Sequence, residues 1–176
     1  SVDQLATAIA NLFAPEQPSI PPRLSSFTGP QRLQCIAGAH ILLVEDNEIN
    51  QQVAAELLRS INLVVDIAPQ GHAALEKIAA QHYDLVLMDI RMPGMDGYEA
   101  TRRIRALSGK QEADRERLMT VPIVAMTAHA MPSDRLKSLQ AGMNDHLSKP
   151  IDPPTLFLTL LKWIPPRPRA NAPDLC

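Results

Sequence analysis

Cysteine is scarce in this chain: Cys35 and Cys176 are the only two among 176 residues. Two thiols are too few for a disulfide framework or a zinc cluster, and they fit a reducing compartment. Basic charge is also in short supply. Lys and Arg number 17 against 19 Asp and Glu, a net charge of −2, so nothing is left over to neutralise a phosphate backbone and direct binding of nucleic acid is not expected. Long apolar runs are missing as well. The longest charge-free apolar stretches, Leu5–Pro15 and Val121–Pro132, fall short of the ~18 residues of a membrane span. No basic start leads into an apolar targeting segment, and a first residue Ser1 in place of Met reads as the start of an excised or processed piece. What remains is an ordinary balance, 45% hydrophobic and 20% charged, that suits one soluble globular domain, with or without tails.

Proline marks where that domain lies, because it lacks an N–H and fixes φ. Five of the 16 prolines fall in residues 1–39 and four in 165–176. Residues 40–164 are therefore read as the domain. Residues 1–39 and 165–176 read as proline-rich linkers, which imply neighbours on both sides in a parent chain.

Within 40–164, short apolar runs alternate with segments of helical period. His40–Val44, Leu63–Ala68, Leu85–Met88, Pro122–Met126 and His146–Ser148 are strand candidates, mostly apolar without alternation, as in strands buried on both faces. Between them Ile49, Val53, Leu57 and Ile61 recur at intervals of four, and Ala74, Leu75 and Ile78 form a second stripe of the kind that faces a core. Further helices are expected near Gly97–Leu107, Ser133–Ala141 and Pro153–Trp163, with Gly142 as a stop and Pro153 and Pro154 in a first turn. Residues 108–121 carry six charges and read as a solvated loop. A βα unit repeated five times predicts an α/β fold, a parallel sheet with helices on both faces.

Ligands of such sheets bind beyond the carboxyl ends of the strands. There the sequence puts Glu45 and Asp46 after the first strand, Asp89 at the third, Thr127 at the fourth and Lys149 at the fifth. Unit charges ~4 Å apart repel by roughly 4 kcal/mol at an effective dielectric of ~20, so three carboxylates in one place call for a counter-charge. A hard divalent cation such as Mg²⁺ supplies it, and Lys149 adds another positive charge. The set suits phosphoryl transfer with Asp89 as nucleophile, since carboxylates form aspartyl-phosphate intermediates. His40, His72 and His82 lack metal-ligand spacing.

Four segments, ILLVEDNEINQ (41–51), DLVLMDIRMPGMDGYE (84–99), PIVAMTAHAM (122–131) and AGMNDHLSKPID (141–152), resemble the receiver domain of two-component response regulators, most of all the receivers of hybrid sensor histidine kinases. The resemblance covers residues 40–164. It implies a flavodoxin-like (βα)5 fold, a five-stranded parallel sheet of order 2-1-3-4-5; receivers are themselves a standard example of that order. It also implies that Asp89 accepts a phosphoryl group from a phosphohistidine and loses it slowly by self-dephosphorylation. Asp46, Asp89 and the backbone carbonyl of Arg91 would bind Mg²⁺, for which Mn²⁺ could substitute, with Glu45 acting through water. Thr127 and Lys149 would hold the phosphoryl group. Where receivers carry a Tyr or Phe switch ring three residues before the lysine, this chain has His146.

The resemblance further implies partners: the dimerisation domain of a histidine kinase or a histidine phosphotransfer domain as donor, and a homodimer through the face formed by the helix near 133–141, the strand at 146–148 and the helix near 153–163. That face, Thr127 and His146 included, would be the signalling output. Any kinase activity belongs to the parent chain, because the fragment has no nucleotide-binding or histidine-kinase motif. The expected location is cytoplasmic, as a fragment that is not itself in the membrane, with any anchor in the parent. Two other readings compete. A pseudo-receiver that only binds partners would not need Asp89, Thr127 and Lys149 together. A haloacid-dehalogenase-type phosphohydrolase also uses an aspartyl nucleophile, but Arg91 stands where that family needs its general acid.

Overall fold

Five parallel strands in the order β2-β1-β3-β4-β5 form the centre of the molecule. The computed structural model describes residues 30–107, 111–129 and 131–167. The strands are β1 (His40–Val44), β2 (Val64–Ala68), β3 (Leu85–Asp89), β4 (Ile123–Thr127) and β5 (Asp145–Ser148). The helices are α1 (Pro30–Gln34), α2 (Glu48–Ser60), α3 (Gly71–Ala80), α4 (Gly97–Ala106), α5 (Glu112–Thr120), α6 (Pro132–Ala141) and α7 (Pro153–Trp163). None of these described helices is long and apolar enough to cross a membrane.

The near-continuous apolarity of the central strands β1, β3 and β4 has a direct cause in the two layers. Leu42, Val44, Val86, Met88, Ile123 and Ala125 point to one face and pack with Ala74, Ile78, Ala100 and Ile104 of α3 and α4. Ile41, Leu43, Leu85, Leu87, Val124 and Met126 point to the other and pack with Ala54, Ala55, Leu58, Leu156 and Leu160 of α2 and α7. Since side chains alternate along a strand, burial on both sheet faces demands apolar residues at every position.

Three features depart from the sequence reading. Residues 112–120 form helix α5 rather than a loop. Only Leu118 of α5 is buried, so it carries no apolar period to read. It is tied down instead by Arg105 Nη1 donating to Leu118 O at 3.0 Å and by Arg117 Nη1 donating to Gln81 O at 2.7 Å. Second, the four-residue stripe on α2 turns outward only in its first half: Ile49 is 70% exposed and Val53 53%, while Leu57 and Ile61 pack against the core beside Ala54, Ala55 and Leu58. Third, packing continues beyond 40–164. Ile36 and Ala39 lie in the core, and Arg167 Nη2 meets Asp84 Oδ2 at 2.5 Å while its backbone N–H donates to Cys35 O at 2.7 Å. Most of the two segments read as linkers, 1–29 and 168–176, lies outside the described residues.

Candidate functional site

The register of the sheet brings the strand-end residues to one edge. Val44 lies beside Met88, Asp89 beside Met126, and Thr127 beside Ser148. Glu45 therefore emerges from β1 next to Asp89 at the tip of β3, and Lys149 leaves β5 next to Thr127 at the tip of β4. Local chemistry holds the tips in place. Asn47 caps α2, its Oδ1 accepting from the N–H groups of Ile49 at 3.0 Å and Asn50 at 3.1 Å, as a short polar side chain does at a helix start. Asp96 caps α4 in the same way through Glu99 N. Gly97, the first residue of α4, lies so close to β3 that a Cβ there would sit 2.3 Å from the carbonyl oxygen of Asp89. Only glycine lets this helix pack so tightly against the strand tip.

Glu45, Asp46 and Asp89 each offer a carboxylate oxygen within 4.8 Å of the others. Glu45 and Asp89 are buried, at 2% and 4% exposure, and Asp46 is exposed. Lys149 Nζ lies 2.7 Å from Glu45 Oε2 and 3.0 Å from Asp89 Oδ2. Glu45 Oε1 accepts from the Asn47 N–H at 3.2 Å and Asn50 Nδ2 at 3.3 Å. Asp89 Oδ1 accepts from the Arg91 N–H at 3.2 Å. Burial, and after it the negative charge of Glu45, raises the Asp89 carboxyl above the usual aspartate range despite the Lys149 ammonium beside it. Burial alone would lower Lys149, but its two carboxylate partners outweigh that and hold it above the usual lysine value. One ammonium thus faces three carboxylates across a cavity of about 260 Å³, lined also by Asn50, Arg91 and Thr127. This excess of hard oxygen donors over cations fits a divalent ion such as Mg²⁺.

All five strand-end residues of the sequence reading, Glu45, Asp46, Asp89, Thr127 and Lys149, line this one cavity. The Thr127 hydroxyl points along its own loop, donating to His129 O at 2.8 Å and accepting from His129 N at 3.2 Å. The Arg91 side chain is exposed. His146 stands apart from the cavity, with Nδ1 3.8 Å from Asp145 Oδ1. The Asp145 carboxylate is itself held by Lys162 Nζ and Trp163 Nε1, each at 2.8 Å.

The sequence reading missed the polar collar around Glu45: Asn47, Asn50, and Gln51, whose Nε2 donates to Glu45 O at 2.7 Å. An Asn immediately before a helical segment was a readable signal for the cap. Nothing in the spacing signalled that Asn50 would turn back onto a buried glutamate. The outward apolar residues Ile49 and Val53 were also missed; Val53 lines a second cavity, of about 440 Å³, with Asn50, Ala54, Pro150 and Ile151. Glu45, Asn50 and Lys149 line both cavities.

Comparison with known proteins adds to this geometry. The response regulator receiver domain family matches residues 41–161. Over 173 residues, 97% of the chain, the sequence is 38% identical to the sensor protein GacS of Pseudomonas syringae pv. syringae, and it spans 17% of that protein's length. Among solved structures it is similar to the receiver domain of sensor histidine kinase PA1611 from Pseudomonas aeruginosa PAO1, which holds a magnesium ion in its active site cleft. The identity is 46% and the TM-score 0.63, with 72% of this chain and 98% of that one covered. A chain from the co-crystal of the Saccharomyces cerevisiae histidine phosphotransfer protein Ypd1 with the receiver domain of Ssk1 is 28% identical, with a TM-score of 0.62. There 72% of this chain and 89% of that one are covered.

Proposed function

Because the chain belongs to the response regulator receiver family, a two-component signalling module similar to the receivers of hybrid histidine kinases, we propose that it accepts a phosphoryl group from a phosphohistidine onto Asp89 in a Mg²⁺-dependent reaction. The observation that carries this reading is the junction at Lys149, whose ammonium contacts both Glu45 and Asp89 within a cluster of three carboxylates that one ammonium cannot neutralise. Asp46, Asp89 and the Arg91 carbonyl would hold the ion, with Glu45 behind it. Bound there, Mg²⁺ would offset the repulsion between the carboxylates and the entering phosphoryl oxygens.

The protein's own groups do the remaining work. The Arg91 N–H fixes one Asp89 oxygen, which orients the carboxylate for attack on phosphorus. The P–N bond of the donor breaks and its electron pair returns to the imidazole. Lys149 meets the charge gained at Asp89, and the Thr127 hydroxyl turns from His129 toward the phosphoryl oxygens. Movement of the Thr127 loop then alters the face made by α6, β5 and α7, where Leu136 and Leu139 are exposed. Slow hydrolysis of the acyl phosphate resets it.

The donor is a phosphohistidine-bearing helical domain. Exposed Val53, which lines the cavity with Pro150 and Ile151, and exposed Ile49 one turn earlier on α2 offer it an apolar seat. By this reading the chain is the receiver segment of a hybrid sensor histidine kinase. Incubation with Mg²⁺ and acetyl phosphate, followed by intact mass, tests the chemistry. Wild type should gain one phosphoryl unit and Asp89→Ala none; a gain in Asp89→Ala, or none in wild type, overturns the assignment.

A further inference from the structure

Asn50 sits where the two cavities meet, sharing one with Asp89 and Thr127 and the other with Val53, Pro150 and Ile151. Its backbone N–H is taken by the Asn47 cap and its Nδ2 by Glu45 Oε1. That leaves the amide oxygen, Oδ1, with no donor among the described residues, on a side chain whose orientation the buried glutamate sets. A hydrogen-bond acceptor is thus held at the entrance to the phosphoacceptor cavity, on the side where the apolar seat begins. Glu45 and Lys149 also line both cavities, but they are committed to each other at 2.7 Å.

Resting on the reading of Asp89 as phosphoacceptor, we propose that Asn50 is the residue that selects an imidazole donor. Its Oδ1 accepts from the ring N–H on the far side from phosphorus, and so binds and orients the ring-protonated form. In that form the step balances. The Asp89 oxygen–phosphorus bond forms and the phosphorus–nitrogen bond breaks. Its electron pair goes to the ring nitrogen, and the ring departs as neutral imidazole with no further proton required. A charge-assisted hydrogen bond of this kind is among the stronger ones available. An acyl phosphate donor has no ring N–H to offer, so Asn50 serves it only indirectly, by steadying Glu45.

The test compares second-order rate constants for phosphorylation by two small donors, phosphoimidazole and acetyl phosphate, in Mg²⁺, read by intact mass for wild type and Asn50→Ala. Asn50 is exposed on the first turn of α2, so the alanine variant is expected to fold, and its melting curve verifies this. The selectivity for phosphoimidazole over acetyl phosphate should fall by about tenfold, the size of one charged hydrogen bond, through a raised KM for phosphoimidazole at little changed maximal rate. If both donors slow by the same factor Asn50 only positions Glu45, and if neither slows it has no part in the transfer; either result overturns the proposal. Wild type that takes a phosphoryl group from neither donor removes the phosphoacceptor reading itself, and the inference with it.

Discussion

The two ends of the sheet both gather charged side chains, and they do it to opposite purpose. At the carboxyl end a cluster of three carboxylates has one lysine, which contacts two of them, and burial raises Asp89 above its ordinary range. Toward the amino end the carboxylates are fully met. Asp66 Oδ2 accepts from Tyr83 OH at 2.8 Å and from Gln81, with His40 Nε2 at 3.1 Å. Asp84 takes the His40 N–H at 2.7 Å and the Arg167 guanidinium. Burial would raise Asp66, but Tyr83, His40 and Gln81 outweigh it and hold its carboxyl below the ordinary value. Burial, with Asp66 as neighbour, pushes Tyr83 up to about 12. A satisfied cluster adds to stability, whereas one with charge left over is poised to bind.

That contrast can be broken by exchanging the expected consequences. The largest effect should follow Asp89→Ala, which removes phosphoryl uptake altogether by intact mass while the fold persists. Lys149→Ala should slow phosphorylation by about 10²–10³-fold, the usual cost of losing one electrostatic contact to the reacting group; a rate within threefold of wild type would show that the ammonium is not part of the chemistry. At the other end, Tyr83→Phe should leave phosphorylation unchanged but cost about 1 kcal/mol in urea titrations, the typical net value of a hydrogen bond.

The two ends should also differ in their response to ions and pH. Asp46→Asn should raise the stability of the metal-free protein by about 0.5 kcal/mol, by easing repulsion at the carboxyl end. Mg²⁺ should raise the melting temperature of wild type, and the same change should abolish that rise. Asp66, lowered on folding, contributes stability above the ordinary aspartate value that drains away as pH falls through its folded value. Tyr83, raised on folding, contributes below the ordinary tyrosine value and loses that as pH climbs through about 12. Asp66→Asn should therefore flatten the acid limb of the stability profile and Tyr83→Phe the alkaline limb. These are the smallest effects, and equal acid limbs in Asp66→Asn and wild type would mean the amino-end cluster is not paired in solution.

Much of this was legible in advance, and the exceptions have physical causes. The central strands β1, β3 and β4 were the most readable, because burial on two faces leaves little room for polar residues. Helix α5 was not, because it is held by Arg105 reaching to it from α4 and by its own Arg117 reaching out to Gln81 rather than by an apolar period. The stripe of Ile49, Val53, Leu57 and Ile61 reads as the inner face of α2, yet only Leu57 and Ile61 pack against the core. Period alone does not say which of two apolar faces turns inward, and small Ala54 and Ala55 let the helix lie closer to the sheet.

By itself the sequence determined the order of the five strands, of the helices between them other than α5, and the residues that end each strand, since these depend on local pattern and on chain direction in a parallel sheet. The pairing of Lys149 with Glu45 as well as Asp89, 104 residues apart in the first case, was decided only by tertiary structure. So was the collar of Asn47 and Asn50 that leaves one amide oxygen at the cavity mouth. Such contacts depend on distances between side chains from different elements, and those distances exist only once packing has set how far each strand tip projects.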